Sequence, residues 1–181
     1  MRHSLIKRLL FPVLAASLLA ACSPTYNWRD YSSQDAPFRA MFPDKPDVHK
    51  RKIDINGLPV EMTMTAVDIE GTTFAVGSAQ APDAAKAQAA LDAMKTALVR
   101  NIGATITKEK VSAAASAGAA GNTQRASIDI EATGVRNGTP MKLVGHFEAR
   151  DKRFYQVIVM GKEKAMTPEH VDQFISSFKL L

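Results

Sequence analysis

Apolar and polar residues alternate along much of the chain, the pattern of strands with one buried face. In the first half, three such segments are separated by Asn56 and Gly57 and by Glu70 and Gly71. Asn-Gly is a strong hairpin signal because both residues tolerate positive φ. The pattern therefore predicts an antiparallel meander of strands over residues 48–55, 58–68 and 72–80.

The alternation returns over residues 126–132 and, after Asn137 and Gly138, over residues 141–148. A further run, 154–160, is apolar on both faces except at Gln156. This composition is expected of a central strand that is covered on both sides. We predict a second set of about four antiparallel strands, with residues 154–160 in the middle of the sheet.

Two segments show helical spacing instead. Residues 82–102 are rich in Ala, with Asp83 at the start and Gly103 just past the end, as helix termini prefer. From Thr167 a Thr-Pro pair precedes an apolar face spaced i, i+3, i+4, i+7. We expect both helices to lie on the sheet. Residues 112–121, built from Ala, Ser and Gly residues only, predict a mobile loop or an irregular hairpin connection.

These elements define an α+β fold: one mainly antiparallel sheet of about seven strands and two amphipathic helices, in an order close to ββββ-α-ββββ-α. The chain has 181 residues, enough for one domain with its own core. We predict a signal peptide at 1–21, a tether at 22–36 and a single α+β domain at 37–181. The tether contains three aromatic residues, so part of it should dock on the domain.

The first 21 residues have a pattern of their own. Arg2, Lys7 and Arg8 form a basic head, and the apolar run over residues 9–21 ends in small residues. This run is shorter than the about 20 residues that a membrane-spanning helix needs. The layout is that of a secretory signal peptide.

The last residues of this segment, Leu19-Ala20-Ala21-Cys22, resemble the lipobox of bacterial lipoproteins. The resemblance implies that the Cys22 thiol is alkylated by a diacylglyceryl group, that the chain is cut before Cys22, and that the new amino terminus is acylated with a fatty acid such as palmitate. Ser23 in the next position implies an anchor in the outer rather than the inner membrane, facing the periplasm. The alternative is an ordinary signal peptide followed by an incidental cysteine.

Lipidation gives the single cysteine of the chain a role. With Cys22 lipidated, the exported domain has no thiol left and forms no disulfide, although its compartment would allow one. Loss of residues 1–21 also lowers the formal charge from +5 to +2, because three of the 23 basic residues and none of the 18 acidic residues lie there. A nearly neutral domain without a stripe of Lys and Arg is a poor partner for nucleic acid.

The rest of the chain shows no catalytic, metal or cofactor motif. His49, His146 and His170 are not in metal-binding spacing, and we expect each to be a solvated surface residue. The stretch around Ser78 lacks the second Gly of a nucleophile elbow. Asp129 and Glu131 share a strand face and could pair for acid–base chemistry, but solvent-facing alternation explains them better. We therefore predict no catalytic residues, no metal and no cofactor, and a protein that is not an enzyme.

Lys50, Arg51 and Lys52 form the most basic run of the exported part. Charged residues on an edge strand prevent unwanted sheet pairing, and this is the favoured interpretation. The alternative is that these three residues contact an acidic partner or anionic lipid headgroups, each cation adding about 1 kcal/mol near such a surface.

The domain combines Phe42-Pro43-x-x-Pro46, two strand-rich blocks divided by one helix, and a closing Phe174-x-x-Ser177-Phe178-Lys179-Leu180. In these features it resembles small bacterial proteins with a PsbP-like fold. PsbP is an extrinsic subunit of the oxygen-evolving complex, and its relatives serve as assembly or accessory factors. The resemblance implies an accessory role and carries over no catalytic residue.

The sequence thus predicts a lipid-anchored envelope protein that acts as a non-enzymatic binding or accessory module, with a membrane contact through lipidated Cys22 and a protein partner in the periplasm. The alternative is a small-molecule or lipid-binding lipoprotein with an apolar cavity between sheet and helix, for which Met residues would be suitable. A hydrolase is the third hypothesis.

Overall fold

The computed structural model describes residues 25–118 and 121–181, so Cys22 and the predicted signal peptide lie outside the described residues. The elements in chain order are ten strands, two α-helices and one 3-10 turn. Their bounds are β1 Arg29–Ser32, β2 Phe38–Phe42, β3 Asp47–Ile55, β4 Leu58–Ile69, β5 Thr72–Gln80, α1 Ala84–Asn101, β6 Ala104–Gly118, β7 Gly121–Arg136, β8 Thr139–Arg150, β9 Arg153–Lys162, the 3-10 turn Glu163–Ala165, α2 Pro168–Ser177 and β10 Lys179–Leu180.

Seven strands form one antiparallel sheet in the order β3-β4-β5-β9-β8-β7-β6. The predicted α+β class and the three-strand meander are confirmed, and β9 occupies the predicted central position. The turns at Asn56 and Gly57 and at Asn137 and Gly138 have positive φ at both residues, which is the twist that two-residue hairpins require.

The sheet is covered on both faces. Its central strand β9 shows this directly, because alternate side chains belong to two different cores. Phe154 and Ile158 pack under α1, whereas Tyr155 and Val157 pack under α2 and a small sheet with the order β1-β2-β10. The two helices therefore lie on opposite faces of the main sheet.

Helix α1 begins as its sequence predicts. Asp83 is the N-cap, and its carboxylate accepts a hydrogen bond from the Lys86 backbone N–H at 2.8 Å. Gly103, just after the helix, has φ +60°, a conformation that favours glycine.

Two predictions are corrected. Residues 112–121 were expected to form a mobile loop or an irregular connection, but β6 and β7 pair in regular register up to Gly118 and Gly121. Backbone pairing thus continues through residues of low strand propensity. Part of the predicted tether forms β1, which pairs with β2, and this small sheet was not predicted.

Candidate functional site

The two ends of the main sheet differ. What we call the proximal end carries the β4–β5 and β7–β8 turns, and the first described residues dock beside Phe74, close to the β4–β5 turn. The ring of Tyr26 is 3.8 Å from that of His170 and 6.3 Å from that of Phe74, and Trp28 packs edge-on against Phe74 at 6.1 Å. The aromatics of the predicted tether are therefore docked, and they fix where the chain joins the domain.

The opposite, distal end carries the β3–β4 and β8–β9 turns and a projecting hairpin. Strand β8 ends where Arg150 pairs with Arg125 of β7. Strands β6 and β7 continue for four more residue pairs, from Ala115 with Gln124 to Gly118 with Gly121. At about 3.3 Å per residue, this two-stranded hairpin projects about 13 Å beyond its neighbour.

The two edges of the main sheet are protected differently. Strand β3 forms one edge, and all three predicted contact residues, Lys50, Arg51 and Lys52, are exposed on it. Lys50 Nζ is 2.9 Å from Asp35 Oδ1 in the β1–β2 loop. An edge with consecutive cations resists pairing with other chains, and the predicted edge position is confirmed.

Strand β6 forms the other edge, and among the described residues it pairs only with β7. Its first half has a register shift between Ile106 and Lys108, and two of its charges are held in ion pairs, Lys108 with Glu131 at 2.7 Å and Glu109 with Lys95 of α1 at 2.6 Å. Bulges and charges both discourage strand addition.

The second half of β6 lacks this protection. Residues 111–118 include neither a charged residue nor a proline. Val111 is 65% exposed, and Ser112 and Ala113 are exposed as well. This half of β6 therefore presents free backbone N–H and C=O groups that another strand could pair with.

A second site lies on the sheet face that α2 covers. His146 Nδ1 is 2.6 Å from Asp129 Oδ1, and His146 Nε2 is 3.2 Å from Glu148 Oε2. Glu148 Oε1 is 2.6 Å from Arg125 Nε. We call these four residues the His146 cluster. Both ring nitrogens face carboxylates, so the doubly protonated imidazolium satisfies both carboxylates.

The electrostatics agree with this geometry. Burial disfavours protonation of His146, but the hydrogen bonds to Glu148 and Asp129 outweigh it, so the pKa of His146 is raised above 6.5. Burial also disfavours ionised Glu148, yet the hydrogen bond to His146 and the charge of Arg125 lower the pKa of Glu148 below 4.5. The cluster is thus a chain of alternating charges.

The expectation that His146 is solvated is wrong, because its side chain is only 19% exposed. Glu148 lies two residues from His146 on β8, so strand alternation predicts that the two side chains share a face. Asp129 lies on the neighbouring strand β7, and its contact with His146 could be found only once the strand register was known. Asp129 and Glu131 do not pair with each other. Asp129 faces His146, and Glu131 lies between Lys108 and Lys142.

The remaining candidates are simple to place. His49 is exposed on β3. His170 is half-buried against Tyr26, so it is not solvated as expected. Ser78 is buried inside β5 rather than at a strand-to-helix turn.

A groove of about 580 Å³ runs between α1 and the β3–β4 hairpin. Its apolar lining includes Ile53, Met62 and Met94, and Gln156 lies at its base. Gly77 makes room for Gln156, because a Cβ atom there would lie 2.7 Å from Gln156 Cγ. The Gln156 amide nitrogen is 3.6 Å from Met64 Sδ. A buried polar group at the base of an apolar groove can orient a ligand.

Within residues 25–118 and 121–181, no helix is long and apolar enough to cross a membrane. The same described residues contain no group of three or more His, Cys, Asp or Glu side chains placed to hold a metal ion. No protein-family model matches the chain, and no curated protein matches it.

Proposed function

We propose that this protein is a lipid-anchored envelope protein whose α+β domain binds an extended segment of a partner protein along the second half of β6. The domain is an accessory module that acts by binding rather than by catalysis. Its anchor is the diacylglyceryl group on Cys22, held in the outer membrane and facing the periplasm.

The contrast between the two sheet edges is the observation that supports this proposal. One edge carries Lys50, Arg51 and Lys52, and the first half of the other edge carries a bulge and paired charges. Residues 111–118 of β6 include neither a charged residue nor a proline, and Val111 is 65% exposed. Strand addition supplies affinity through main-chain hydrogen bonds, which a row of small side chains leaves accessible.

The position of this edge suits an anchored protein. The docked Tyr26 leaves three residues between it and Cys22, and these four residue steps span at most about 14 Å. The proximal end is therefore held close to the membrane. The unprotected half of β6 lies toward the distal end, where a periplasmic partner has access.

The same geometry bears on Lys50, Arg51 and Lys52. Lys50 pairs with Thr63 at the middle of β4, and Lys52 pairs with Glu61 on its distal half. This position is away from the proximal end, so it favours a role in protecting the edge, or contact with an acidic protein, over contact with the anchoring membrane. Replacing all three residues with Gln should leave binding to anionic vesicles unchanged at low and at high salt.

Photo-crosslinking in intact cells tests the proposal. A photoreactive amino acid at position 111 should give a discrete crosslinked protein, whereas the same residue at position 135 should give none. Val135 is a matched control, since it is 62% exposed but lies on β7 at the proximal end. A product of twice the chain's mass would identify a second copy as the partner.

A second test of strand addition introduces a charge on the β6 edge. Ala113→Lys should reduce the crosslinked product from position 111 by about tenfold or more, because a charge on an edge strand obstructs pairing. Equal products at positions 111 and 135, or a product that Ala113→Lys leaves unchanged, would overturn strand addition to β6.

The groove beneath α1 favours the alternative, a lipid-binding protein. Its probe is a fluorescent fatty acid. Ala97→Phe would fill the groove, whereas Ala85→Phe places the same ring on the exposed side of α1. Loss of fluorescence in Ala97→Phe alone would support the alternative, and absence of binding to the unmodified chain would reject it.

A further inference from the structure

The distal end holds a second recess that strand addition to β6 does not use. It lies between the C-terminal segment after α2 and strands β7 and β8, with a volume of about 380 Å³. Its polar lining comprises Arg125, His146, Glu148, Arg150, Ser176 and Lys179. An adjoining recess of about 480 Å³ shares Arg150 and is also lined by Lys152 and Arg153, with Asp151 as its acidic residue.

In the recess between the C-terminal segment and strands β7 and β8, two of the four positive charges have a carboxylate partner. Arg125 is compensated by Glu148, and His146 by Asp129. Arg150 and Lys179 are exposed, and among the described residues neither has an ion-pair partner. The recess therefore keeps two uncompensated positive charges.

Glu148 restrains the position of Arg125 through an ion pair. The carboxylate is almost fully buried and engages Arg125 through Nε. The Arg125 side chain is nonetheless 60% exposed, so the guanidinium is also accessible from the recess. An accessible guanidinium offers N–H groups in the fork that fits phosphate oxygens.

We propose that this recess binds a phosphate monoester through Arg125, Arg150 and Lys179. A phosphate monoester carries about −1.5 to −2 charges at pH 7, which matches the two uncompensated cations, whereas a carboxylate or phosphodiester would neutralise only one. The monoester belongs either to a soluble metabolite or to a lipid headgroup. Ile175 and Phe178 form the apolar wall that acyl chains would contact.

Isothermal titration of the full chain in a neutral detergent tests this inference. Glycerol 1-phosphate represents the soluble ligand, dihexanoyl phosphatidic acid the lipid, and methyl sulfate a monoanion. We expect a phosphate monoester to bind at least tenfold more tightly than methyl sulfate. If phosphatidic acid binds tenfold more tightly than glycerol 1-phosphate, the ligand is a lipid headgroup. If the two bind with equal affinity, the ligand is a soluble metabolite. Failure of both monoesters to bind would overturn the proposal.

Three double variants test the same site by mutation. Arg150→Gln with Lys179→Gln should weaken monoester binding at least tenfold, and Lys162→Gln with Lys164→Gln should change it less than twofold. The control removes the same charge from exposed residues at the proximal end. Arg150→Lys with Lys179→Arg keeps the charge and should recover part of the affinity. Equal weakening by both Gln pairs would show a general charge effect and overturn the site.

Crosslinking from position 111 should be unaffected by Arg150→Gln with Lys179→Gln, so the phosphate-site proposal and the strand-addition proposal fail independently.

Discussion

Glu148 is the one charged residue that is buried among the described residues. Its two oxygens face His146 and Arg125, and the ring of His146 lies 6.0 Å from that of Phe178. A buried carboxylate is stable only with such partners. The His146 cluster therefore links stability of the fold to the shape of the recess.

Glu148→Gln should lower the free energy of unfolding by about 2 kcal/mol, because it leaves His146 and Arg125 without their shared counter-charge. Glu131→Gln is the matched control. Glu131 pairs with two lysines on the more exposed part of the same face, and such pairs contribute about 1 kcal/mol or less. Denaturant unfolding at pH 7 compares the two variants, and equal losses would contradict the account.

The His146 cluster also predicts how stability depends on pH. The pKa of His146 is raised in the folded state, so its contribution is complete below about pH 6.5 and is lost as the pH rises through the raised value. The pKa of Glu148 is lowered, so its contribution is present above about pH 4.5 and is lost as the pH falls through the lowered value.

The variant His146→Gln cannot take up a proton, so comparing it with the unmodified chain isolates the contribution of His146 to the pH dependence of stability. The unmodified chain should be more stable than the variant at pH 5.5 by a margin that shrinks as the pH rises toward 9. Unfolding free energies measured across this range provide the check. A margin that is constant, or that grows with pH, would mean that His146 is not held as an imidazolium.

At the scale of elements, the sequence predicted what depends on local pattern. The strands beside Asn56 and Gly57 and the helix after Asp83 lie where alternation and capping placed them, because these signals act within a few residues. The central position of β9 followed from its apolar character on both faces.

Features that depend on long-range pairing were missed. Strand β1 is short and polar, and it exists because β2 and three docked aromatics support it. The β6–β7 hairpin has few strand-favouring residues, so composition alone favoured a loop. His146 and Asp129 meet across two strands, and no local pattern shows which residues of neighbouring strands are opposite each other.

The distal hairpin gives a test at this scale. Replacing residues 115–124 by Asn-Gly should shift the melting temperature by less than about 2 °C, under 1 kcal/mol, because the described residue pairs that it removes join β6 and β7 only to each other. Circular dichroism during heating measures the shift. A loss of several degrees would show that the hairpin supports the core, whereas the account assigns it a role in binding.

The whole molecule combines a docked linker, a sheet covered on both faces and two candidate binding regions that both lie toward the distal end. This arrangement makes sense if the proximal end is fixed near a membrane. The recess at Arg150 and the unprotected half of β6 would then both face the periplasm. Each binding proposal can fail alone, but their shared orientation depends on the proposed anchor at Cys22.

Intact-mass analysis of the protein isolated from membranes, with radiolabelled palmitate supplied to the cells, tests that claim most directly. The account predicts label in the protein, a mass for a chain that begins at Cys22 with one diacylglyceryl and one acyl group, and no label in Cys22→Ser. An unlabelled product with a free thiol at Cys22 would contradict it.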